Sequence, residues 1–329
     1  MSISLIFKVF VGILAAAGAL ACVLVAMLAT PLQRPPELAS ISAARKTLDL
    51  SRLPPLDHLQ ARDGTELAYR RYAATGPAAA SVAVVVHGSS GSSRGAVHVL
   101  SQALAARGVE TYALDIRGHG ASGTRGDIGY AGQLQDDLAD VVAEIRKVHP
   151  DAPLTLIGHS SGGGFALRMA GSPIQDAFAR TVLLAPYLGY DALTTRPNSG
   201  GWAQADIPRV LALLVLHKLG VTWAEALPTL AFAVPPNAER RLTTAYSFRL
   251  MRDFAVSGDF RRDVAAARKP ITLFSGGADE LMYADKYQDA LGPRVAVHLI
   301  DGIDHMGIVG NPAAAAVIAD DVARSDLRS

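Results

Sequence analysis

The residues of this 329-residue chain that are able to do chemistry sit in a few short, glycine-rich stretches. The most informative is Gly158-His159-Ser160-Ser161-Gly162, with the apolar run Leu154-Thr155-Leu156-Ile157 before it and GGFALRMA, a helical sequence, overlapping and following it. This is G-x-S-x-G in a strand-turn-helix setting, a sharp turn that presents a serine hydroxyl at the edge of a sheet. The flanking glycines relieve crowding where the backbone is strained. The helix that begins there aims its first N–H groups at negative charge developing on a substrate. Ser160 is thus the candidate nucleophile, and the backbone N–H of Ser161 a candidate oxyanion-hole donor.

A serine hydroxyl is a weak nucleophile at neutral pH, so it needs a general base, and the base needs a carboxylate to orient it. Nine histidines compete. With this nucleophile turn the chain order is serine, acid, histidine. That order removes His58, His87, His98, His119, His149 and His159, and leaves His217, His298 and His305. His217 falls in an apolar helical stretch and His298 in the strand-like RVAVHLI, whereas His305 follows that strand in the loop DGIDHMG. His305 is the expected base. Asp279, in Gly276-Gly277-Ala278-Asp279-Glu280 just past the strand-like Ile271–Ser275, is the expected acid, because catalytic groups of open α/β sheets gather at the strands' carboxyl ends. Glu280 is its neighbouring rival, while Asp301 and Asp304 suit loop turns. The run Ser81–Val86 delivers His87-Gly88-Ser89-Ser90-Gly91, which occupies the place of the second oxyanion-hole donor, the backbone N–H of Ser89.

The elements that must position these groups follow from periodicity. Around Asp63-Gly64, suited to a two-residue turn, two antiparallel strands are expected. After them come strands at Ser81–Val86, Val109–Leu114, Leu154–Ile157, Thr181–Leu184, Ile271–Phe274 and Val295–Ile300, with helices at 95–107 and 131–148. This β-α-β-α order predicts a mostly parallel sheet with helices on both faces. Residues from about 187 to 265 break the rhythm with helical sequence and read as an inserted cap. Within it Asp206-Ile207-Pro208 looks like a helix start and Gly220 a stop, and Val210–Leu216 is apolar all round, suiting packing on the core, a wall of an acyl-chain pocket, or contact with a membrane.

The amino terminus adds a separate element. No charged residue occurs from Val9 to Ala29, and 21 residues at about 1.5 Å each match a bilayer core of about 30 Å. Residues 1–30 are therefore expected to be a single-pass membrane anchor; the rival is a secretory signal peptide with Lys8 as its basic region. Lys8 on one side against Arg34, Arg45 and Lys46 on the other leans the positive-inside count toward a cytoplasmic body without deciding the side. Residues 31–50, opening with PLQRPPELAS, are expected to be a proline-rich linker, with the folded domain over 51–329. The 31 basic and 30 acidic residues leave a net charge of +1, which argues against nucleic acid as a partner. One cysteine, Cys22, excludes an internal disulfide and a cysteine zinc site.

Together HGSSG, DIRGHGASGTRG, GHSSGG, GGAD and GIDHMG resemble the α/β-hydrolase superfamily, in particular its monoglyceride lipase and lysophospholipase branch, over roughly residues 60 to 325 apart from the cap. The resemblance implies an esterase or lipase acting on an acyl ester, lipid-like such as a monoacylglycerol or lysophospholipid, with no metal or organic cofactor. It also implies that Arg117-Gly118-His119-Gly120 with Ser122 is a structural loop beside the site. Two departures are Ser161, where that branch usually has Met, and a cap without an alignable motif. A peptidase or amidase on the same residues is the alternative enzyme; a catalytically inert binding protein of the same fold is the alternative from another class.

Overall fold

Five strands are apolar enough to need burial on both faces, and they make the middle of the sheet in a computed structural model that describes residues 3–75, 81–235 and 242–326. In chain order the first elements are helices α1 (Ile3–Leu28) and α2 (Ala39–Lys46) and strands β1 (Asp57–Gln60) and β2 (Glu66–Tyr72). The doubly wound part follows: β3 (Ser81–Val86), α3 (Val97–Ala105), β4 (Val109–Leu114), α4 (Gln133–Val148), β5 (Leu154–His159), α5 (Ser161–Ala170) and β6 (Arg180–Leu184). An insertion carries β7 (Ala203–Ala205), α6 (Ile207–Lys218), β8 (Pro228–Phe232), β9 (Ala245–Ser247), α7 (Phe248–Asp253) and α8 (Phe260–Ala266). The chain closes with β10 (Ile271–Gly276), α9 (Tyr287–Leu291), β11 (Val295–Ile300), α10 (Gly307–Gly310) and α11 (Pro312–Asp326).

The eight-stranded sheet has the order β1-β2-β4-β3-β5-β6-β10-β11. β1 and β2 pair antiparallel, β2 meets β4 antiparallel, and the other contacts are parallel. Every residue of β3, β4, β5, β6 and β10 is buried, as a sheet covered on both faces requires. Alternate residues of β3 serve the two faces. Val82, Val84 and Val86 join the core under α4 and α5, and Ala83 and Val85 join the core under α3 and α11. The expected α/β-hydrolase architecture is therefore present.

Three details depart from the expectations. The β1–β2 turn takes three residues rather than two: Ala61 and Thr65 bond, and Gly64 adopts φ +83° to donate to the Ala61 carbonyl, a left-handed position that glycine fills at little cost. The cap is not helical alone, because β7, β8 and β9 form a small antiparallel sheet in it. These strands are three to five residues long, too short for their period to stand out against neighbouring helical sequence. Finally, 31–50 is not only an extended spacer. Its ASISAARK forms α2, Ile41 is 2% exposed within the main core, and the Leu38 N–H donates to the Ala233 carbonyl. Prolines at 31, 35 and 36 suppress helix up to that point, and the Ala-rich stretch beyond them then has one large apolar side chain to bury.

α1 leaves the body almost alone. Its apolar side chains, among them Phe7, Phe10, Ile13, Leu14 and Val25, are exposed, and its 24-residue stretch Leu5–Leu28 is long and apolar enough to cross a membrane. Only its carboxyl end is fastened. Thr30 donates to the Asp206 carboxylate, and Arg209 of α6 donates to the Leu28 and Thr30 carbonyls.

Candidate active site

The turn between β5 and α5 puts Ser160 at φ 55°, ψ −120°, a conformation few non-glycine residues hold. Its surroundings enforce it. The Ser160 N–H donates to the Leu184 carbonyl, and its own carbonyl accepts the N–H groups of Gly163, Gly164 and Tyr187. The neighbouring glycines have no room for a side chain. A Cβ on Gly158 would lie 2.1 Å from the Gly162 carbonyl oxygen, and one on Gly162 would lie 2.4 Å from that of His87.

The three residues expected to act together do meet. Ser160 Oγ lies 3.0 Å from His305 Nε2, and His305 Nδ1 lies 2.8 Å from Asp279 Oδ2. All three are buried. The other Asp279 oxygen accepts the N–H groups of Leu281 and Met282, each at 2.8 Å. The neighbouring candidates are elsewhere or otherwise engaged. His217 pairs with Glu225 at 2.6 Å on the cap, His298 stacks on Phe274, and Asp304 caps the Gly307 N–H. Glu280, the rival acid, holds the backbone N–H of His305 at 3.0 Å and so fixes the loop rather than the imidazole.

Burial by itself would lower the His305 pKa, but the Asp279 charge and hydrogen bond more than offset it and hold the imidazole above its ordinary value. Burial would likewise raise the Asp279 carboxyl, yet His305 and the two backbone donors keep it below the usual range. The pair therefore favours an imidazolium, the species a base becomes after it takes a proton.

The residues expected as oxyanion donors flank the nucleophile. Among the described residues the N–H groups of Ser89 and Ser161 have no internal acceptor. Gly88 packs so close that a Cβ there would come 3.0 Å from Ser160 Cβ. The loop's shape is set by side chains whose roles a linear reading misses. His87 donates from Nδ1 to the Gly88 carbonyl (2.7 Å), leaving Nε2 to accept the Ile116 N–H. The Ser90 N–H donates to the Tyr246 hydroxyl (2.9 Å), which in turn donates to His119 Nε2 (2.6 Å). Burial drives the His119 pKa well below its usual value, so His119 is a neutral acceptor. Tyr246 belongs to β9, which means the cap sheet helps hold the loop of Ser89. The residue before the nucleophile, His159, is also structural: its Nε2 donates to the His305 carbonyl at 3.1 Å, and burial pushes its pKa down to about 3.

In the Arg117-Gly118-His119-Gly120 loop, Asp115 accepts the N–H groups of Ser93 and Ala121, and a Cβ on Gly120 would lie 1.9 Å from the Asp115 carboxylate. The glycine is required by this close approach. Arg117 is fully sequestered between Asp137 and Asp63, so the loop is structural, as the resemblance implies.

Ser160, His159 and His305 open onto a cavity of about 690 Å³ with walls from Ile41, Leu48, Leu50, Leu242, Leu281 and Val309. Its polar lining includes Arg45, Lys46 and Arg94, and among the described residues no Asp or Glu lines it. No residue of α6 lines it either: Leu213 is buried in a separate small cluster with Ala224 and Phe248, with Leu216 packed against it. Of the roles expected for this helix, that of an acyl-pocket wall is corrected accordingly, because its inward face is used up in packing the cap. Among the described residues, no group of three or more His, Cys, Asp or Glu side chains converges as a metal site.

Comparison with known proteins agrees with this geometry. The family profile described as "Serine aminopeptidase, S33" matches residues 77–309. A stretch of 106 residues is 33% identical to a monoacylglycerol lipase of Mycolicibacterium smegmatis; the match spans 32% of this chain and only 37% of that relative's length. Among solved structures, a soluble variant of monoglyceride lipase from Saccharomyces cerevisiae superposes with a TM-score of 0.58 at 16% identity, covering 83% of this chain and 94% of the other. The monoacylglycerol lipase of Paleococcus ferrophilus gives 0.54 at 17% identity, covering 80% and 98%. At such identities these two show the fold. The resemblance to the monoglyceride lipase branch of the α/β-hydrolases is borne out, and because the family match extends over about 70% of the chain, the protein belongs to the serine aminopeptidase S33 family of α/β-hydrolases.

Proposed function

We propose that this protein is a serine hydrolase of carboxylic esters, acting on lipid-like acyl esters through an acyl-enzyme on Ser160. In this reading His305 takes the Ser160 proton as the alkoxide attacks the ester carbonyl, Asp279 holds the imidazole, and the N–H groups of Ser89 and Ser161 stabilise the oxyanion. His305 then returns the proton to the leaving alcohol and later activates the water that frees the acid. The observation that carries the reading is the unbroken hydrogen-bond line Asp279–His305–Ser160 at the floor of an apolar-walled cavity. The relatives' names, monoacylglycerol lipase and monoglyceride lipase, favour a lipid ester.

The family's description raises the amide alternative, and the cavity lining argues against it. An aminopeptidase must hold a substrate ammonium, which calls for a carboxylate, and the described lining offers cations instead. A panel of p-nitrophenyl esters of increasing chain length set against aminoacyl p-nitroanilides separates the two. Ester turnover is expected to exceed amide turnover by at least a hundredfold and to peak at a medium or long acyl chain. The reverse preference would replace the reading with a peptidase.

We further propose that α1 anchors the protein in a membrane. An exposed apolar helix of this length suits the hydrocarbon core of a bilayer, and the outward side chains Ile207, Leu211, Leu214 and Val215 of α6, beside the fastened end of α1, would then face the same bilayer. After alkaline carbonate washing the full chain is expected in the membrane pellet. Its release into the supernatant would defeat the anchor.

A further inference from the structure

α2 brings Arg45 into the active-site cavity, which the sequence gives no reason to expect. Its guanidinium lies 5.5 Å from the centre of the Trp202 ring. Trp202 in turn donates from Nε1 to the Ser89 hydroxyl at 2.8 Å, and Ser89 is the residue assigned to the oxyanion hole. Arg45 is therefore tied, through one aromatic ring, to the place where an ester carbonyl would react.

Its charge has no counterpart. Three buried arginines meet carboxylates: Arg117 those of Asp137 and Asp63, Arg180 that of Asp321, Arg209 that of Asp206, and a fourth, Arg70, donates to the Pro54 carbonyl. Arg45 Nη1 is buried without a hydrogen-bond partner. Burial lowers its pKa to about 10, which still leaves it protonated at neutral pH. Lys46 and Arg94, both exposed, add positive charge to the same cavity, and no described carboxylate lines it. In a chain with 31 basic and 30 acidic residues, this excess of cations among the described lining residues is local. Arg45 is half-buried; a buried guanidinium N–H without an acceptor is costly, and a ligand anion relieves that cost with charge-assisted, bidentate hydrogen bonds.

We propose that Arg45 binds a negatively charged group on the alcohol portion of the substrate, so that the ester this cavity takes carries a phosphate or a carboxylate near the scissile bond. The inference rests on the ester-hydrolase reading above and narrows its substrate class. Phosphate and carboxylate each present a pair of oxygens that a guanidinium fork matches bidentately.

The test uses the full chain in detergent and three substrates with one acyl chain: an acylglycerol, the corresponding acylglycerol phosphate, and the acyl ester of glyceric acid. Wild type is expected to favour at least one anionic ester over the neutral one by about 10- to 100-fold in kcat/KM, and the preferred arm identifies the anion. Arg45→Gln is expected to cut that preference at least tenfold, chiefly through KM, and Arg45→Lys to restore part of it. Because the readout is a ratio between substrates, it is independent of how much of each variant is folded. Wild type turning over the neutral ester as well as either anionic one, or an unchanged ratio in Arg45→Gln, would overturn the proposal. A folded protein that hydrolyses none of the three and whose Ser160 takes no fluorophosphonate label would instead defeat the hydrolase reading, and this inference with it.

Discussion

Ser160→Ala is expected to abolish labelling by a fluorophosphonate probe and to lower kcat/KM on the preferred ester by about 10⁴-fold or more. The size follows from what the change removes. Without Oγ no acyl-enzyme forms, and what remains is the slower attack of water helped by the oxyanion donors and by substrate binding. The fold itself should tolerate the change, since the Ser160 backbone keeps its bonds to Leu184, Gly163, Gly164 and Tyr187 and alanine removes one oxygen. The thermal midpoint is expected to move by no more than a few degrees. A folded Ser160→Ala protein that still labels, or that keeps more than about 1% of wild-type turnover, would remove Ser160 from the nucleophile's role.

Asp279→Asn is expected to cost about 10³- to 10⁴-fold in kcat, for a reason specific to this site. Asp279 Oδ1 accepts two backbone N–H groups, those of Leu281 and Met282. The amide oxygen of an asparagine would stay there, which turns its NH₂ toward His305 Nδ1. That nitrogen would then have to accept, leaving the proton on Nε2 facing Ser160, the wrong tautomer for a base. The pH profile supplies a second reading. Activity needs neutral His305, so in wild type it should rise with pH and level off above an inflection higher than an ordinary imidazole pKa, because Asp279 outweighs burial. In Asp279→Asn the charge is gone and burial is opposed only by the weaker pull of the Glu280 and Asp304 carboxylates, so the inflection of the residual activity should move to lower pH. An unshifted inflection would assign the profile to another group.

How much of this was legible in the chain depends on the range of the interactions. Ser160 was readable because its turn is local: strand, glycine, serine, glycine and helix lie within about fifteen residues, and steric demand there leaves a distinct pattern. His305 and Asp279 were readable because the fold orders them after strands whose apolar runs are visible. The sheet order was legible for a similar reason, since continuous apolar runs separated by helical stretches admit few right-handed parallel arrangements. The short cap strands were not, because three to five residues carry too little periodicity to compete with adjacent helical sequence.

The supporting cast around the site needed the tertiary structure. Tyr246 steadies the Ser89 loop from a position 156 residues away, His159 holds the carbonyl of His305 across 146 residues, and Ile41 and Arg45 come from a stretch whose prolines suggest only a spacer. None of these residues sits in a motif. Their roles arise from burial, which leaves a polar group few partners and makes whichever one is nearest decisive. The chain alone determined the family and which residues the proposed chemistry would use, because those demands are local and stereochemical. The shape and charge of the cavity that chooses the substrate were decided only when distant segments packed together, because they depend on which side chains lose water at the same place.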